Sequence, residues 1–356
     1  MNSNDRIILS AENLSTGYRN SRKETVIQRN LSFSLRRGEL TSLIGLNGSG
    51  KSTLIKTLCG FLPPLEGDVR IAGKEISRYS AGEFARKVAV VLTDKTYSGA
   101  ITVRELVSMG RYPHTGWLGK LSRRDILIVD ESMAATGVCH KADSFLSDLS
   151  DGQRQRAFIA KALAQQAPVI ILDEPTAFLD VAGRSETLSL LHRTASDMDL
   201  SIFLSIHDID NALMYSDKIM VIRESSPMLF DTPENLVMDG KISDFFAEKG
   251  LFFNEMSGQI SHYNSSDTVQ VGIKGDKLTA RWLSNALFRY GFTPVAPKNG
   301  IICCNAVSKE LIEVSLPEGR MITYDSIGSA CSALRERNIS ESSRGRAQDE
   351  KYGPDR

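Results

Sequence analysis

Apolar and polar residues alternate along the first forty positions of the chain. The segments RIILSAENLSTGY and TVIQRNLSFSLRRGEL, within residues 6–40, have the period of two and the β-branched content of strands, which predicts a small antiparallel sheet. The compact apolar run at residues 40–45 predicts a buried strand, and a glycine-rich turn follows it. A helix is then predicted over residues 51–59, because Gly60 ends the pattern.

The middle of the chain changes to helical spacing and then to an alternation of helices and apolar strands. Residues 99–146 contain helix-like segments without clear strands, which predicts an inserted helical subdomain. Ser150 is a predicted N-cap for a helix over residues 151–166, which Pro168 ends. The short apolar strands that follow are VIIL (Val169–Leu172), SIFLS (Ser201–Ser205) and KIMVI (Lys218–Ile222). This alternation predicts an α/β fold with a parallel sheet.

After a first domain over residues 1–248, the pattern changes once more. Alternating strands occur with two helical segments, at about residues 278–290 and 326–337, and this predicts a second, small α+β domain over residues 249–340. The last residues, 341–356, are polar, charged and without periodicity, which predicts a disordered tail.

The composition narrows the class of protein. The 43 basic residues balance the 43 acidic ones, which argues against a nucleic-acid partner attracted by bulk charge. The five cysteines form no CxxC pair, so they are expected to be reduced and buried. Cys303 and Cys304 are adjacent on an apolar strand and are expected to point to opposite faces. With no signal-peptide pattern and no run of roughly 18 apolar residues, the chain is predicted to be soluble and cytoplasmic.

The stretch GLNGSGKST at residues 45–53 carries the strongest chemical signal. Inward-pointing N–H groups of a glycine-rich loop, with the positive end of the following helix, can surround a triphosphate. Lys51 would reach the β- and γ-phosphates, Ser52 would bind Mg²⁺, and Thr53 would add a donor to the α-phosphate. Without the strand before it and the helix after it, a glycine-rich surface turn would explain the pattern equally well. The predicted nucleotide-binding residues of this loop are Gly45, Asn47, Gly48, Ser49, Gly50, Lys51, Ser52 and Thr53.

Polar side chains follow two of the predicted parallel strands. Asp173 and Glu174 come directly after VIIL, and His207 follows SIFLS, so all three are expected at the sheet edge that holds the phosphate loop. Asp173 is the predicted magnesium ligand, and Glu174 is the predicted general base that activates water. His207 would bind the γ-phosphate, and it forms the predicted catalytic set with Glu174 and Lys51. The alternatives are an acid pair that caps a helix and a structural histidine.

The order of GLNGSGKST, LSDGQRQR, VIILDEPT, FLD and SIHD resembles the ATP-binding subunit of an ABC transporter over residues 5–245. The resemblance implies a P-loop ATPase core with an N-terminal antiparallel β subdomain and an inserted helical subdomain. LSDGQ is similar to the family signature LSGGQ, with Asp151 in place of the first glycine. In the family, the serine and the second glycine of this signature bind the γ-phosphate of an ATP that the other subunit holds.

Two helix starts in this chain can bind anions, one after the phosphate loop and one at Ser150. A head-to-tail homodimer would bring both to one ATP, with Ser150, Gly152 and Gln153 of one copy facing the loop of the other. The resemblance implies that Asp180 lies at the dimer seam and that Tyr18 stacks on adenine. An ordinary capped basic helix and a half-buried strand aromatic are the alternatives.

Asp94 departs from the family pattern, because it aligns with a glutamine at the end of the strand that leads into the helical subdomain. A carboxylate at this position could still reach Mg²⁺. It is shorter than glutamine, adds negative charge and donates no hydrogen bond. Asp94 is therefore a predicted metal ligand whose link to the helical subdomain differs from that of the family.

The stretch ITVRELVSMGRYP, which begins at residue 101, is similar to the ATPases of importers for ferric siderophores, haem and cobalamin. It implies an ATPase using ATP and Mg²⁺ on the cytoplasmic face of the inner membrane, with ferric siderophore as the favoured cargo. Polytopic permease subunits and, indirectly, an extracytoplasmic substrate-binding protein would be its partners. Arg111 and Tyr112 are expected either at the permease-facing surface or as packing residues. A soluble ABC ATPase of translation or cluster assembly and a DNA-repair ATPase are the alternatives.

Overall fold

The computed structural model describes residues 6–20, 23–92, 101–116, 119–223, 227–248, 250–253, 260–262 and 268–337. The chain divides into two compact units: Met1–Lys249 with Phe253–Ile260, and Gly250–Phe252 with Ser261–Arg356. The predicted tail at residues 341–356 lies outside the described residues. The domain boundaries drawn from the sequence stay predictions.

An antiparallel sheet and a mostly parallel sheet form the framework of the first unit. The strands are β1 (Ile7–Asn20), β2 (Lys23–Arg36), β3 (Leu40–Ile44), β4 (Glu66–Ile71), β5 (Lys74–Glu75), β6 (Val88–Val91), β7 (Val169–Leu172), β8 (Ser201–Ser205), β9 (Lys218–Val221) and β10 (Leu229–Asp231). The antiparallel sheet has the order β2-β1-β4-β5. The other has the order β10-β9-β3-β8-β7-β6, and β10 is its antiparallel edge strand. The predicted α/β fold class is confirmed.

The hairpin of β4 and β5 was not predicted, although the sequence carries a signal for it. Val69 and Ile71 alternate with more exposed neighbours and are fully buried, as expected for a strand with one face on the core. Ala72 and Gly73 then form the turn with positive φ angles of 49° and 78°. Two successive positive φ angles are typical of the tight turns that join antiparallel strands. This hairpin adds the third and fourth strands to the antiparallel sheet.

Helices connect the parallel strands and form the inserted subdomain. They are α1 (Lys51–Leu58), α2 (Ala81–Ala85), α3 (Val103–Met109), α4 (Arg123–Ala135), α5 (Asp151–Ala164), α6 (Val181–Asp197), α7 (Ile209–Tyr215), α8 (Pro233–Met238) and α9 (Lys241–Ala247). Ser80, Thr102, Ser122 and Ser150 each begin a helix with a reciprocal capping box. Helix α5 is two residues shorter than predicted, because Gln166 leaves the helical region with a φ of 51°.

An apolar core of the first unit joins its two sheets. It contains Leu9 and Leu35 of the antiparallel sheet, Leu54 of α1 and Phe203 of the parallel sheet, all at least 99% buried. Every residue of β3, β7 and β8 is buried, which explains why these strands read as continuous apolar runs. Because these strands are parallel, their carboxyl ends lie at one edge of the sheet.

The inserted subdomain is built from α3 and α4, which pack against α5. Its core contains apolar residues of all three helices: Val103, Leu106, Val107, Ile128, Val129, Met133, Ala157, Ala160 and Ala164. A Cβ atom at Gly110 would lie 2.3 Å from the carbonyl oxygen of Lys161. Glycine at this position and alanines along α5 therefore allow the helices to approach closely.

Arg111 is buried inside this subdomain, where its guanidinium bonds to other residues of the subdomain. The residue is only 4% exposed, its Nε donates to Asp125 Oδ1 at 2.9 Å, and its Nη1 donates to the Ala164 carbonyl at 2.7 Å. Of the two interpretations for Arg111, packing is the one that fits these contacts. Tyr112, in contrast, is 59% exposed. Tyr112 alone of this pair is accessible to a partner.

The Arg111–Asp125 pair gives a prediction about pH. Hydrogen bonds from the Ser122 side chain and N–H, followed by that from Arg111, lower the pKa of Asp125 from its ordinary 3.8 to about 2. A carboxylate with a lowered pKa in the folded state stabilises it above the unfolded pKa, and this stability is lost as the pH falls. We expect Asp125→Asn to lower the free energy of unfolding by about 2 kcal/mol at neutral pH.

That difference is expected to shrink as the pH falls from 3.8 to about 2, and urea titrations at several pH values would measure it. Asp143→Asn is the matched control, because Asp143 is an exposed carboxylate of the same subdomain. If the difference in the free energy of unfolding between Asp125→Asn and the wild type stays constant down to pH 2, the lowered pKa of Asp125 is contradicted.

The second unit is a small α+β domain by its elements. Two short strands, β11 (Leu251–Phe253) and β12 (Ile260–His262), have residues in each of the two units. The strands and helices that lie wholly in the second unit are β13 (Gln270–Gly275), α10 (Lys277–Arg289), β14 (Thr293–Val295), β15 (Ile302–Ser308), β16 (Leu311–Ser315), β17 (Met321–Tyr324) and α11 (327–337). The sheet order is β14-β13-β15-β16-β17, and β13 is parallel to both of its neighbours. Its core contains Leu283 and Leu287 of α10. Leu278 and Trp282, on the opposite side of α10, are 67% and 56% exposed.

The adjacent cysteines of the second unit lie on β15 and differ in burial. Cys304 is fully buried beside the core, and burial raises the pKa of its thiol to about 12. Cys303 is partly exposed, and its Sγ lies 3.6 Å from the Lys298 carbonyl oxygen. The difference in burial between Cys303 and Cys304 is what the alternation of side chains along a strand requires.

Among the described residues, none of the helices has the length and apolar character needed to cross a bilayer.

Candidate nucleotide site

The phosphate loop turns sharply between the end of β3 and the start of α1. Gly50 is the N-cap of α1 with a φ of 96°, a conformation that favours glycine. A Cβ atom at Gly50 would lie 2.5 Å from Ile27 Cγ2, and one at Gly45 would lie 2.4 Å from Ser49 Oγ. Both glycines are therefore required by the close approach of neighbouring atoms as well as by the path of the loop.

Lys51 lies beneath the loop with its charge enclosed. The residue is 7% exposed, and its Nζ donates to the carbonyls of Gly45 at 2.7 Å and Leu46 at 3.2 Å. Burial lowers the pKa of Lys51, while the negative charges of Glu174 and Asp173 act in the opposite direction. An anion that binds here would stabilise the charged form of the buried Lys51 ammonium.

The rest of the loop fits a bound triphosphate. Among the described residues, Ser49 Oγ is buried and has no hydrogen-bond partner, so it can serve a ligand. Asn47 and Gly48 are exposed at the tip of the loop, and Ser52 is exposed on the first turn of α1. The loop and the first turn of α1 therefore present several possible donors for phosphate oxygens.

Tyr18 lies beside the start of α1. Its hydroxyl is 3.3 Å from Thr53 Oγ1, and the residue is 42% exposed. The structure thus brings together the predicted adenine-stacking residue and the predicted α-phosphate donor. The exposed ring can accept a flat partner.

The two carboxylates follow β7 as predicted, and a serine of the next strand joins them. Ser205 Oγ donates to Asp173 Oδ1 at 2.6 Å and accepts from the Glu174 N–H at 2.8 Å. Glu174 has a φ of 49°, which is unusual for a residue with a side chain. His207 Nε2 lies 2.5 Å from Glu174 Oε1. Asp173, Glu174 and His207 therefore form one connected group.

Sequence reasoning missed Ser205, which is fully buried at the end of β8. A hydroxyl at the end of an otherwise apolar strand beside two acids was the available signal. Ser205 therefore orients the carboxylate of Asp173 and holds the backbone from which the Glu174 side chain extends. We therefore treat Ser205 as part of the site.

Replacing Ser205 with alanine is expected to lower the ATP hydrolysis rate by about tenfold, which corresponds to 1.4 kcal/mol of barrier. The reason is that Glu174 loses the acceptor that holds its strained backbone. Steady-state kinetics would show the loss in kcat, with KM for ATP little changed. Ser205→Thr keeps the Oγ atom and should restore activity. Ser201→Ala, at a buried serine of the same strand, is the control, and an equal loss there would contradict the assignment.

The signature segment forms the exposed start of α5. Ser150 Oγ accepts from the Gln153 N–H at 3.3 Å, and the Ser150 N–H donates to Gln153 Oε1 at 3.2 Å. Asp151, at the position of the family glycine, pairs with Arg154 at 3.2 Å. Gly152 is half-buried. The described contacts place this segment at a helix start and join neither Ser150 nor Gln153 to the phosphate loop of the same chain.

Asp180 and Asp94 complete the predicted set. Asp180 caps α6, where its Oδ1 accepts from the Gly183 N–H at 2.7 Å. Capping accounts for this carboxylate within one chain. Asp94 lies outside the described residues, and its predicted role stays a prediction.

Comparison with known proteins identifies the family. The profile described as "ABC transporter" matches residues 28–177. An uncharacterized ABC transporter ATP-binding protein of Methanocaldococcus jannaschii is 36% identical over 258 residues, which cover 72% of this chain and 88% of that protein. The ferric enterobactin transport ATP-binding protein FepC of Escherichia coli is 37% identical, over 64% of this chain and 83% of that protein. The cobalamin import ATP-binding protein BtuD of Halobacterium salinarum is 41% identical, over 54% of this chain and 48% of that protein.

Solved structures agree with this assignment. A Clostridium perfringens subunit, part of the ABC transporter complex cbiONQ, is 31% identical and superposes with a TM-score of 0.59, over 67% of this chain and 94% of that chain. An ATP-binding cassette of an ABC transporter in its ADP conformation has the same fold at 23% identity. It superposes with a TM-score of 0.59, over 68% of this chain and 98% of that chain. This chain belongs to the ATP-binding subunits of the ABC transporter family.

Proposed function

We propose that this chain binds and hydrolyses ATP to energise an importer, and that the cargo of the importer is a ferric siderophore. The observation that carries the proposal is the convergence of Lys51, Glu174 and His207 at the carboxyl edge of the parallel sheet. An enclosed cation, a carboxylate and an imidazole at one edge are the groups that phosphoryl transfer to water requires.

In the proposed reaction, a water attacks the γ-phosphorus of ATP and ADP leaves. Glu174 accepts the proton of that water as general base. His207, bonded to Glu174, orients the carboxylate and the γ-phosphate, and Lys51 stabilises the charge on the phosphate oxygens. The bond between Ser205 and the Glu174 N–H keeps the base in place during this step.

We further propose that Ser52 and Asp173 hold Mg²⁺, with Asp94 as an additional ligand. Hydroxyl and carboxylate oxygens are the hard ligands that this ion prefers. When bound, Mg²⁺ supplies charge neutralisation for the β- and γ-phosphates. In the described structure the Asp173 carboxylate is already oriented by Ser205.

The working form is proposed to be a head-to-tail homodimer. The helix start at Ser150 is exposed, and the described hydrogen bonds of Ser150 are with Gln153 of its own helix, which supports its use as an anion site for a second copy. Ser150, Gly152 and Gln153 would then face the ATP of the partner, and Asp180 would lie at the seam. ATP would close this dimer and hydrolysis would reopen it.

The cargo and the partners are inferred from the names of the relatives. FepC is named for ferric enterobactin transport, and BtuD for cobalamin import. A permease of polytopic subunits at the cytoplasmic face of the membrane, fed by an extracytoplasmic binding protein, is the proposed setting. Because the ATPase touches no cargo, ferric siderophore is favoured over haem and cobalamin by resemblance alone.

Two measurements test this function. The tagged chain should co-purify with polytopic membrane proteins, and deletion of its gene should abolish growth on defined ferric siderophores but not on free iron salts. Co-purification with ribosomes or cluster-assembly proteins instead would favour a soluble ABC ATPase. Normal growth on every iron source, with loss of cobalamin uptake, would reassign the cargo.

A further inference from the structure

The buried side-chain amide of Gln28 hydrogen-bonds to the phosphate loop, although no predicted motif contains this residue. Gln28 lies on β2 and is 6% exposed. Its Nε2 donates to the Ser49 carbonyl at 2.6 Å and to the Arg223 carbonyl at 3.0 Å. Ser49 is 21 residues away in sequence, and Arg223 is 195 residues away. A buried amide whose two donors are both satisfied holds its partners firmly.

The bond to Ser49 controls the direction of the next N–H group. The Ser49 carbonyl and the Gly50 N–H belong to one planar trans peptide, so they point in opposite directions. With the carbonyl fixed toward Gln28, the Gly50 N–H points to the other side of the loop. Gln28 Cγ also lies 3.4 Å from the position of a Cβ at Gly50, so the side chain packs closely against this peptide.

The second bond supplies a fixed anchor. Arg223 follows β9, and the preceding Ile222 N–H donates to the Ile44 carbonyl at the start of the loop. The Arg223 side chain is 15% exposed and binds Glu248 Oε1 at 2.9 Å. Glu248 is the C-cap of α9, next to the point where the first unit ends. The carbonyl that receives Gln28 is therefore held by both backbone and side chain.

We propose that Gln28 is a positioning residue of the phosphate loop, which uses the Arg223 carbonyl as an anchor to aim the Gly50 N–H at the nucleotide. This proposal rests on the proposed ATPase function. Gln28 touches neither the nucleotide nor the reacting atoms, so it acts through the loop. Loss of the Gln28 amide should weaken binding of the nucleotide phosphates and leave the general base Glu174 unaffected.

The test compares Gln28→Leu with Gln165→Leu in the full chain. Gln165 is a matched control, because its Nε2 also donates to two backbone carbonyls, those of Ala85 and Val88, outside the phosphate loop. Calorimetric titrations with ATP and with ADP are expected to show Kd values about tenfold higher for Gln28→Leu, and unchanged values for Gln165→Leu. KM for ATP should rise in parallel, while kcat at saturating ATP stays within about twofold.

Several outcomes would overturn the proposal. One is a Gln28→Leu protein that binds ATP as tightly as the wild type, and another is an equal loss of affinity in Gln165→Leu. Gln28→Met, with a side chain of similar length and no donor, replaces Gln28→Leu if that variant is insoluble, and unfolding of both would assign Gln28 to the core instead. A wild-type chain that binds no ATP would refute the ATPase function itself, which separates that failure from this one.

Discussion

Replacing Glu174 with glutamine is expected to lower the rate of ATP hydrolysis by about a hundredfold or more, because the general base is removed. Glutamine keeps the length and shape of the side chain, so its backbone can retain the φ of 49°. ATP binding should therefore persist, since Lys51 and the loop are unchanged. Steady-state hydrolysis and equilibrium ATP titration measure the two quantities separately. Glu234→Gln, at an exposed position on α8, is the control.

The same Glu174→Gln variant tests the homodimer. If ATP is bound between two copies and cannot be hydrolysed, the dimer should accumulate and elute as such from a sizing column with saturating ATP. A monomer under these conditions would refute the composite site. Hydrolysis at the wild-type rate would remove Glu174 from the catalytic set.

Lys51→Met is expected to weaken ATP binding by about a hundredfold, which matches the loss of charged hydrogen bonds worth roughly 3 kcal/mol. The nucleotide-free protein should not lose stability, because burial already disfavours the Lys51 charge. Calorimetric titration and thermal unfolding would show this combination of lost binding and retained stability. Lys56→Met, at an exposed position on the same helix, should change neither. Unfolding of Lys51→Met, or tight ATP binding by it, would contradict the assigned role.

The strands and the residues at their ends could be predicted from local pattern. β3, β7 and β8 are continuous apolar runs because they are buried on both faces, and parallel pairing brings their ends together. The placement of Lys51, Asp173 and Glu174 follows from that geometry. Local pattern was also sufficient for the helix start at Ser150, because its capping partner Gln153 is only three residues away in sequence.

Contacts between distant side chains could not be predicted in this way. Gln28 meets a carbonyl 195 residues away, and Ser205 joins acids from a neighbouring strand. The hydroxyl at the end of β8 marks Ser205 as a candidate, but its contact with both acids depends on the order of the strands in the sheet. The contacts of Gln28 leave no such signal in the sequence. Arg111 illustrates the same difficulty, because only the packed helices reveal that its charge is enclosed.

The exposed Trp282 on α10 makes the second unit observable by optical spectroscopy. It is one of two tryptophans in the chain, and the other is Trp117. A Trp117→Phe background would leave a single indole whose emission responds to its surroundings. Any effector or protein that covers α10 would shift that emission toward the blue, so ligands of the accessory domain can be screened by fluorescence without labelling.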